Sequence, residues 1–174
     1  MYTIRPEKID EYIVIKDIND LAFGGEGEGK LVEAIRNSDH FIPELSLVAE
    51  DENGRVIGHI LFSTIHIETT TGELVPTLGL APMAVLPEYQ NKGIGSLLVK
   101  SGLERAKDLG YAHVAVLGHP NFYPKFGFVP SVQYEIESPF PVPAEVFMVQ
   151  ELVEGSLKGL RGKVVYPPAF SAVS

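Results

Sequence analysis

The run from Leu78 to Ser96 restricts this chain more than any other stretch of its 174 residues. Leu78 to Leu86 is almost wholly apolar, as a strand covered on both faces of a sheet is. Pro87-Glu88-Tyr89-Gln90-Asn91-Lys92-Gly93-Ile94-Gly95-Ser96 follows at once. Then Ile94, Leu97, Leu98, Ala106 and Leu109 recur at helical spacing until Gly110 supplies a C-terminal cap. A buried strand that feeds a helix through a glycine turn is a unit of an α/β fold. Gly93 and Gly95 fall where the helix begins. There the first N–H groups lack carbonyl partners and the helix dipole is positive, so an anion can be held. The missing side chains let a phosphate approach the backbone. Lys92 adds a positive charge at the same point. The pattern reads as a phosphate cradle, against the plainer reading of a glycine turn with no ligand.

Spacing narrows the choice of phosphate site. A P-loop needs Gly-x4-Gly-Lys-Ser/Thr, and no such run exists here. A dinucleotide fingerprint needs Gly-x-Gly-x-x-Gly near the first strand, whereas only Gly93-Ile94-Gly95 is present, in mid-chain. What remains is Gln90-x-x-Gly93-x-Gly95 after Val85-Leu86-Pro87. It resembles the pyrophosphate loop of the GNAT-superfamily N-acetyltransferases, which bind acetyl-coenzyme A. Further on, Phe122-Tyr123-Pro124-Lys125-Phe126-Gly127-Phe128 resembles the Tyr-x-x-x-Gly-Phe segment after the fifth strand of that family. The three phenylalanines read as core packing. Gly58-His59-Ile60-Leu61-Phe62-Ser63 and Leu117-Gly118-His119-Pro120 are similar to a poorly characterised bacterial branch of the same superfamily.

The resemblance implies an α/β (α+β) fold of GNAT type, with a mixed central sheet of about six to seven strands flanked by helices. It implies a splay between the fourth and fifth strands and a single N-acetyltransferase domain over residues 1–174. Acetyl-CoA would be the co-substrate, its pyrophosphate on the amides of Asn91 to Ser96, with Gln90, Asn91, Lys92, Gly93, Ile94, Gly95 and Ser96 as binding residues. Met83, Ala84 and Val85 would present strand backbone to the pantetheine arm. Pro82 fits a bulged strand, since it cannot donate to a ladder, although a local kink alone would explain it too. Tyr123 would be the catalytic acid that protonates the departing thiolate. The sequence departs from the family in two places. Val116 stands where many members have an asparagine, and His113-Val114-Ala115-Val116-Leu117 offers no carboxylate base. His119 reads as a solvated loop residue, so the base is unassigned. The implied reaction is direct acetyl transfer to an amine in a ternary complex; a non-catalytic sensor of CoA or acyl-CoA is the alternative.

Composition excludes other chemistries. There is no cysteine, hence neither a disulfide framework nor an acetyl-cysteine route. No metal site is expected, because His59 and His66 fall on opposite faces of one strand and no other His/Glu spacing suits a ligand set. The net charge of −9 argues against nucleic acid and favours cationic partners, here a small-molecule or peptide amine. No apolar run approaches the ~20 residues of a membrane span, and the N-terminus lacks a signal-peptide core, so a cytoplasmic location is expected. A homodimer is left open.

The rest of the chain reads as alternating elements. Tyr2 to Arg5 is a strand, and Ile9 to Phe23 a helix with Ile9, Tyr12, Ile13 and Leu21 facing inward. Gly24 to Gly29 is a mobile loop; the resemblance puts it on the acceptor side, where Glu26 and Glu28 would draw a cationic acceptor, against the equal reading of a solvated acidic loop with no substrate role. A short helix carries Leu31, Val32 and Ile35. Ser46 to Glu50 and Arg55 to Ile67 form a hairpin around Asn53-Gly54. Phe147 to Leu152 is the last strand, and the tail Gly155 to Ser174 packs on the domain.

Overall fold

The computed structural model describes residues 1–172. It contains the strands β1 (Thr3–Pro6), β2 (Ser46–Glu50), β3 (Val56–Thr69), β4 (Leu74–Val85), β5 (His113–Leu117), β6 (Val129–Pro130), β7 (Ile136–Glu137), β8 (Phe147–Glu151) and β9 (Gly162–Val165). The α-helices are α1 (Tyr12–Phe23), α2 (Gly27–Arg36) and α3 (Ile94–Asp108). Hydrogen bonding follows the order β1-β2-β3-β4-β5-β8-β6, with β9 on β3 and β7 on β9. The sheet is mixed: β1–β2, β2–β3 and β5–β8 are antiparallel, and β4–β5 is parallel. The chain divides into two compact units, one of residues 1–63, 81–105 and 168–172, the other of 64–80 and 106–167.

In the first unit, α3 lies on the β3 face that carries Gly58 and Phe62. A Cβ on Gly102 would sit 2.2 Å from the Phe62 ring, and one on Gly58 would meet Leu98 at 3.2 Å. Both glycines serve close packing. Gly29 does the same for α1 and α2, since its Cβ would lie 2.5 Å from the Asp20 carboxylate. This corrects the expected loop over Gly24 to Gly29. Helix α2 already starts at Gly27 and includes Glu28, while Glu26 lies 3.5 Å from the Lys16 ammonium. Gly29, which suggests mobility in the sequence, is here a means of helix contact, whereas Gly24 and Gly25 face open space.

The phase of α1 also differs from expectation. Ile9, Ile13 and Leu21 are 82, 79 and 60% exposed, and the buried stripe is Ile15, Ile18 and Asn19. Ile9–Glu11 forms a 3₁₀ turn, and the polar Asn19 is drawn inward by a partner on β3. On α3, Leu97 and Leu109 are likewise exposed, whereas Ile94, Leu98, Val99 and Ala106 are buried. The helix ends as expected, with Gly110 at φ 95° and the Tyr111 N–H on the Ala106 carbonyl.

Asn19 belongs to a buried polar chain. Its Nδ2 donates to the Ile15 carbonyl at 3.0 Å and to His59 Nδ1 at 3.3 Å. That fixes the His59 proton on Nε2, which donates to Ser46 Oγ at 3.0 Å. The Ser46 hydroxyl in turn donates to Glu7, whose carboxylate takes two bonds of 3.0 Å from Arg36. Each buried group except Asn19 Oδ1 thereby has a partner. Burial, helped by the Arg36 charge, pushes His59 down to about 3.

The second unit holds the other ladders. β4 and β5 pair at Leu78–Val114 and Gly79–Ala115, and β5 pairs along its length with β8. The Thr77 hydroxyl donates to the His113 carbonyl at 3.1 Å and accepts from His113 Nδ1 at 2.6 Å. The tail supplies a strand that its composition did not announce. Val164 of β9 is fully buried, and Gly162 lies so close to the Glu68 carbonyl that no Cβ would fit. The last two residues of the expected tail, Val173 and Ser174, lie outside the described residues.

His59 yields a prediction about acid stability. Its pKa is lower in the folded state than in the unfolded chain, where it is about 6.5. The unfolded state therefore binds more protons between those values. The contribution is complete above the unfolded value and is lost as pH falls, by about 1.4 kcal/mol per pH unit. Urea unfolding at a series of pH values should show His59→Gln less stable near neutrality but less steeply weakened between about pH 6 and pH 4. Parallel stability curves for the two proteins would contradict this.

Candidate functional site

Residues 83–96, from the end of β4 to the start of α3, lie in the first unit and contain all ten residues expected to bind acetyl-CoA. Along β4, Ala84 and Val85 are buried and Met83 is half-buried. The Leu86 N–H donates to the Ile57 carbonyl at 2.9 Å, which anchors the strand end to β3. Pro87–Tyr89 makes a 3₁₀ turn, and Tyr89 donates its N–H to the Leu86 carbonyl at 2.8 Å. The Gln90 side chain donates to the Val85 carbonyl at 3.0 Å. Gln90 thus ties the loop to the strand.

The loop then reverses through two left-handed residues, Asn91 at φ 64° and Gly93 at φ 82°. The first helical hydrogen bond runs from the Leu97 N–H to the Gly93 carbonyl at 3.1 Å. The N–H groups of Ile94, Gly95 and Ser96 precede it and have no carbonyl within the helix. Asn91, Lys92 and Gly93 are exposed, Gly95 and Ser96 half-buried, and Ile94 is buried as the anchor beneath them. No atom lies within 4 Å of where a Gly93 Cβ would point. Open space, free N–H donors and the Lys92 charge suit an anion approaching the backbone.

Two neighbours of this loop escape a motif search. The Tyr89 hydroxyl donates to Asp51 at 3.2 Å, and the same carboxylate accepts N–H bonds from Asn53 and Arg55 at 2.9 and 3.0 Å. These contacts, the Arg55 N–H bond foremost, hold Asp51 below the usual carboxylate range. The β2–β3 turn is thereby latched to the loop. Asn53-Gly54 marks the turn in the sequence, but nothing there marks its partner.

Tyr123 belongs to the second unit. It opens a 3₁₀ turn, Tyr123–Phe126, closed by Gly127 at φ 102°. The ring is 7% exposed, edge-on to Phe122 at 5.0 Å and to Phe128 at 5.6 Å. A Cβ on Gly118 would stand 2.3 Å from the ring, so this glycine leaves the space that the tyrosine occupies. Burial pushes the phenol up to about 12. It is therefore fully protonated at neutral pH and able to donate. The exposed His119 accepts the N–H groups of Phe122 and Tyr123 on its carbonyl, at 3.1 and 3.3 Å. Among the described residues, no group of three His, Cys, Asp or Glu could hold a metal ion, and no helix is long and apolar enough to cross a membrane.

Known proteins are similar to this chain in sequence and fold. A family model described as an acetyltransferase (GNAT) domain matches residues 42–130, from before β2 through the tyrosine segment. The uncharacterized N-acetyltransferase YhbS of Escherichia coli K12 is 35% identical over 150 residues, covering 86% of this chain and 87% of its own. YjhQ, another uncharacterized N-acetyltransferase of that strain, is 38% identical over 144 residues, 79% of this chain and 77% of its own. A crystal structure of E. coli YhbS in complex with CoA superposes with a TM-score of 0.89 and 32% identity, covering 98% of this chain and 92% of that one. A GNAT-family acetyltransferase from Brucella melitensis, in complex with acetyl-CoA, gives 0.78 and 30%, with 98% of both chains covered. With the strand–cradle–helix segment in place and likeness of this extent, the chain belongs to the GNAT family of N-acetyltransferases.

Proposed function

We propose that this protein transfers an acetyl group directly from acetyl-CoA to an amine, a small molecule or a peptide, with both substrates bound together and residues 1–174 acting as one catalytic domain. The observation that carries this reading is the left-handed turn at Gly93, which opens the N-terminus of α3 beside Lys92. Two relatives of the same fold were crystallised with CoA or acetyl-CoA. On this reading the amides of Lys92 to Ser96 take the pyrophosphate, Gln90 keeps the loop on the strand, and the backbone of Met83, Ala84 and Val85 lies along the pantetheine arm.

The chain has no cysteine, so the acyl group passes to the acceptor without a thioester on the protein. The neutral amine attacks the thioester carbon, and the carbonyl oxygen takes up negative charge. The attacking nitrogen gives up its extra proton to water, and collapse then breaks the carbon–sulfur bond to leave an amide and a thiolate. Tyr123 supplies the proton for the sulfur. A buried phenol with a raised pKa keeps that proton until charge develops on the leaving group. The acceptor role of Glu26 and Glu28 is not carried forward, because Glu28 is in α2 and Glu26 faces Lys16.

Two variants test the halves of this proposal. Gly93→Val forces a β-branched residue into a left-handed conformation and fills the open space above the amides. Calorimetry should show acetyl-CoA binding lost or weakened by at least ~10-fold in a variant with a native circular dichroism spectrum. Equal affinity would end the cradle assignment. Tyr123→Phe keeps the ring but removes the donor. With an acceptor identified from an amine screen, kcat should fall ~10²-fold while acetyl-CoA binding persists. Unchanged turnover across the pH range would reduce Tyr123 to packing.

A further inference from the structure

A second cation stands beside the cradle on a different element. The Arg55 guanidinium lies 5.7 Å from the centre of the Tyr89 ring, and the Lys92 ammonium lies 5.4 Å from the same centre. Tyr89 is held between the loop and the β2–β3 turn by its bond to Asp51. Asp51 and Glu52 are the carboxylates of that turn; the Asp51 oxygens are engaged by Tyr89, Asn53 and the backbone of Arg55, and Asp51 feels the Arg55 charge without forming an ion pair with it. Neither Arg55 nor Lys92 forms an ion pair among the described residues, although Glu52 and Glu88 are exposed nearby in sequence. In a chain with 23 acidic and 14 basic side chains, two unpaired cations on one ring stand apart from the surrounding charge.

A single cation at the helix N-terminus suffices for the pyrophosphate, whose oxygens are met by backbone N–H groups. Arg55 is not on that loop. Its planar donors suit an anion with several exposed oxygens, and a phosphomonoester is such a group, carrying close to two charges at neutral pH. Coenzyme A has one, the 3′-phosphate of its ribose. We propose that Arg55 and Lys92, both lying against the Tyr89 ring, hold this 3′-phosphate and make the protein select coenzyme A over dephospho-coenzyme A. The inference rests on the assignment of the cradle to acetyl-CoA and adds a residue that the loop motif does not contain.

The test is titration calorimetry of coenzyme A and dephospho-coenzyme A with the wild-type protein, Arg55→Gln and Arg55→Lys. The wild type should prefer coenzyme A by roughly 10-fold or more at low salt, and the preference should shrink as salt rises. Arg55→Gln should lose most of the preference by binding coenzyme A more weakly, with dephospho-coenzyme A affinity unchanged. Arg55→Lys, which keeps the charge, should retain part of it. A wild type that binds both ligands equally, or an Arg55→Gln variant weakened equally toward both, would overturn the clamp while leaving the cradle standing. A folded wild type that binds neither ligand would overturn the cradle itself, and the clamp with it.

Discussion

Helix α3 can lie against β3 only because two positions have no Cβ. At Gly102 an added carbon would enter the Phe62 ring, and at Gly58 it would press on Leu98, Ile94 and the Ala84 carbonyl. That close approach sets the helix axis and delivers its N-terminus to the end of β4. The Leu86 N–H bond to Ile57 and the Gln90 bond to Val85 then hold the short connection in place. On the proposed reading, what would bind an anion is generic backbone, the first N–H groups of a helix. What makes the site specific is where the packing glycines and the strand ties put that helix end. Substitution at Gly102 is therefore expected to act on the cradle from beneath, through the helix position.

The parts of the molecule differ in how openly the sequence declares them. The strand–turn–helix segment from β4 to α3 was legible because an apolar run, a glycine turn and an amphipathic stripe follow each other in one contiguous stretch. The β2–β3 hairpin was legible for the same local reason, Asn53-Gly54 between two apolar runs. The inward face of α1 was not. Its phase is set by Asn19, a polar residue that hydrophobic periodicity counts as outward, and His59 lies forty residues away on another element. Gly29 misled in the opposite way, since glycine needed for contact between α1 and α2 looks identical in sequence to glycine needed for flexibility. β9 was not read as a strand because four residues between glycines and prolines are too short to carry a periodic signal.

The same distinction separates the two tyrosines. Tyr123 sits in a recognisable segment, and the structure adds the reasons for its neighbours: Gly118 vacates the space for the ring, and Gly127 takes the left-handed turn that ends the segment. Burial keeps its phenol protonated. Tyr89 looks like filler in the loop sequence, yet through Asp51 it couples the β2–β3 turn to the cradle. The buried chain from Asn19 through His59 and Ser46 to Glu7 and Arg36 is a third arrangement of this type, assembled from five different stretches of the chain. It fixes one tautomer of a neutral imidazole inside the first unit, and polar networks that are nearly fully satisfied favour a single packing over its competitors.

The central claim is that the backbone at the start of α3 receives the phosphates of acetyl-CoA. Titration of the ¹⁵N-labelled protein with acetyl-CoA, followed by amide resonances, tests it most directly. The account predicts that the N–H signals of Gly93, Ile94, Gly95 and Ser96 shift most and move downfield as they take up hydrogen bonds to phosphate, while buried amides such as that of Ile60 stay in place. Saturable binding with those four resonances unmoved would contradict it.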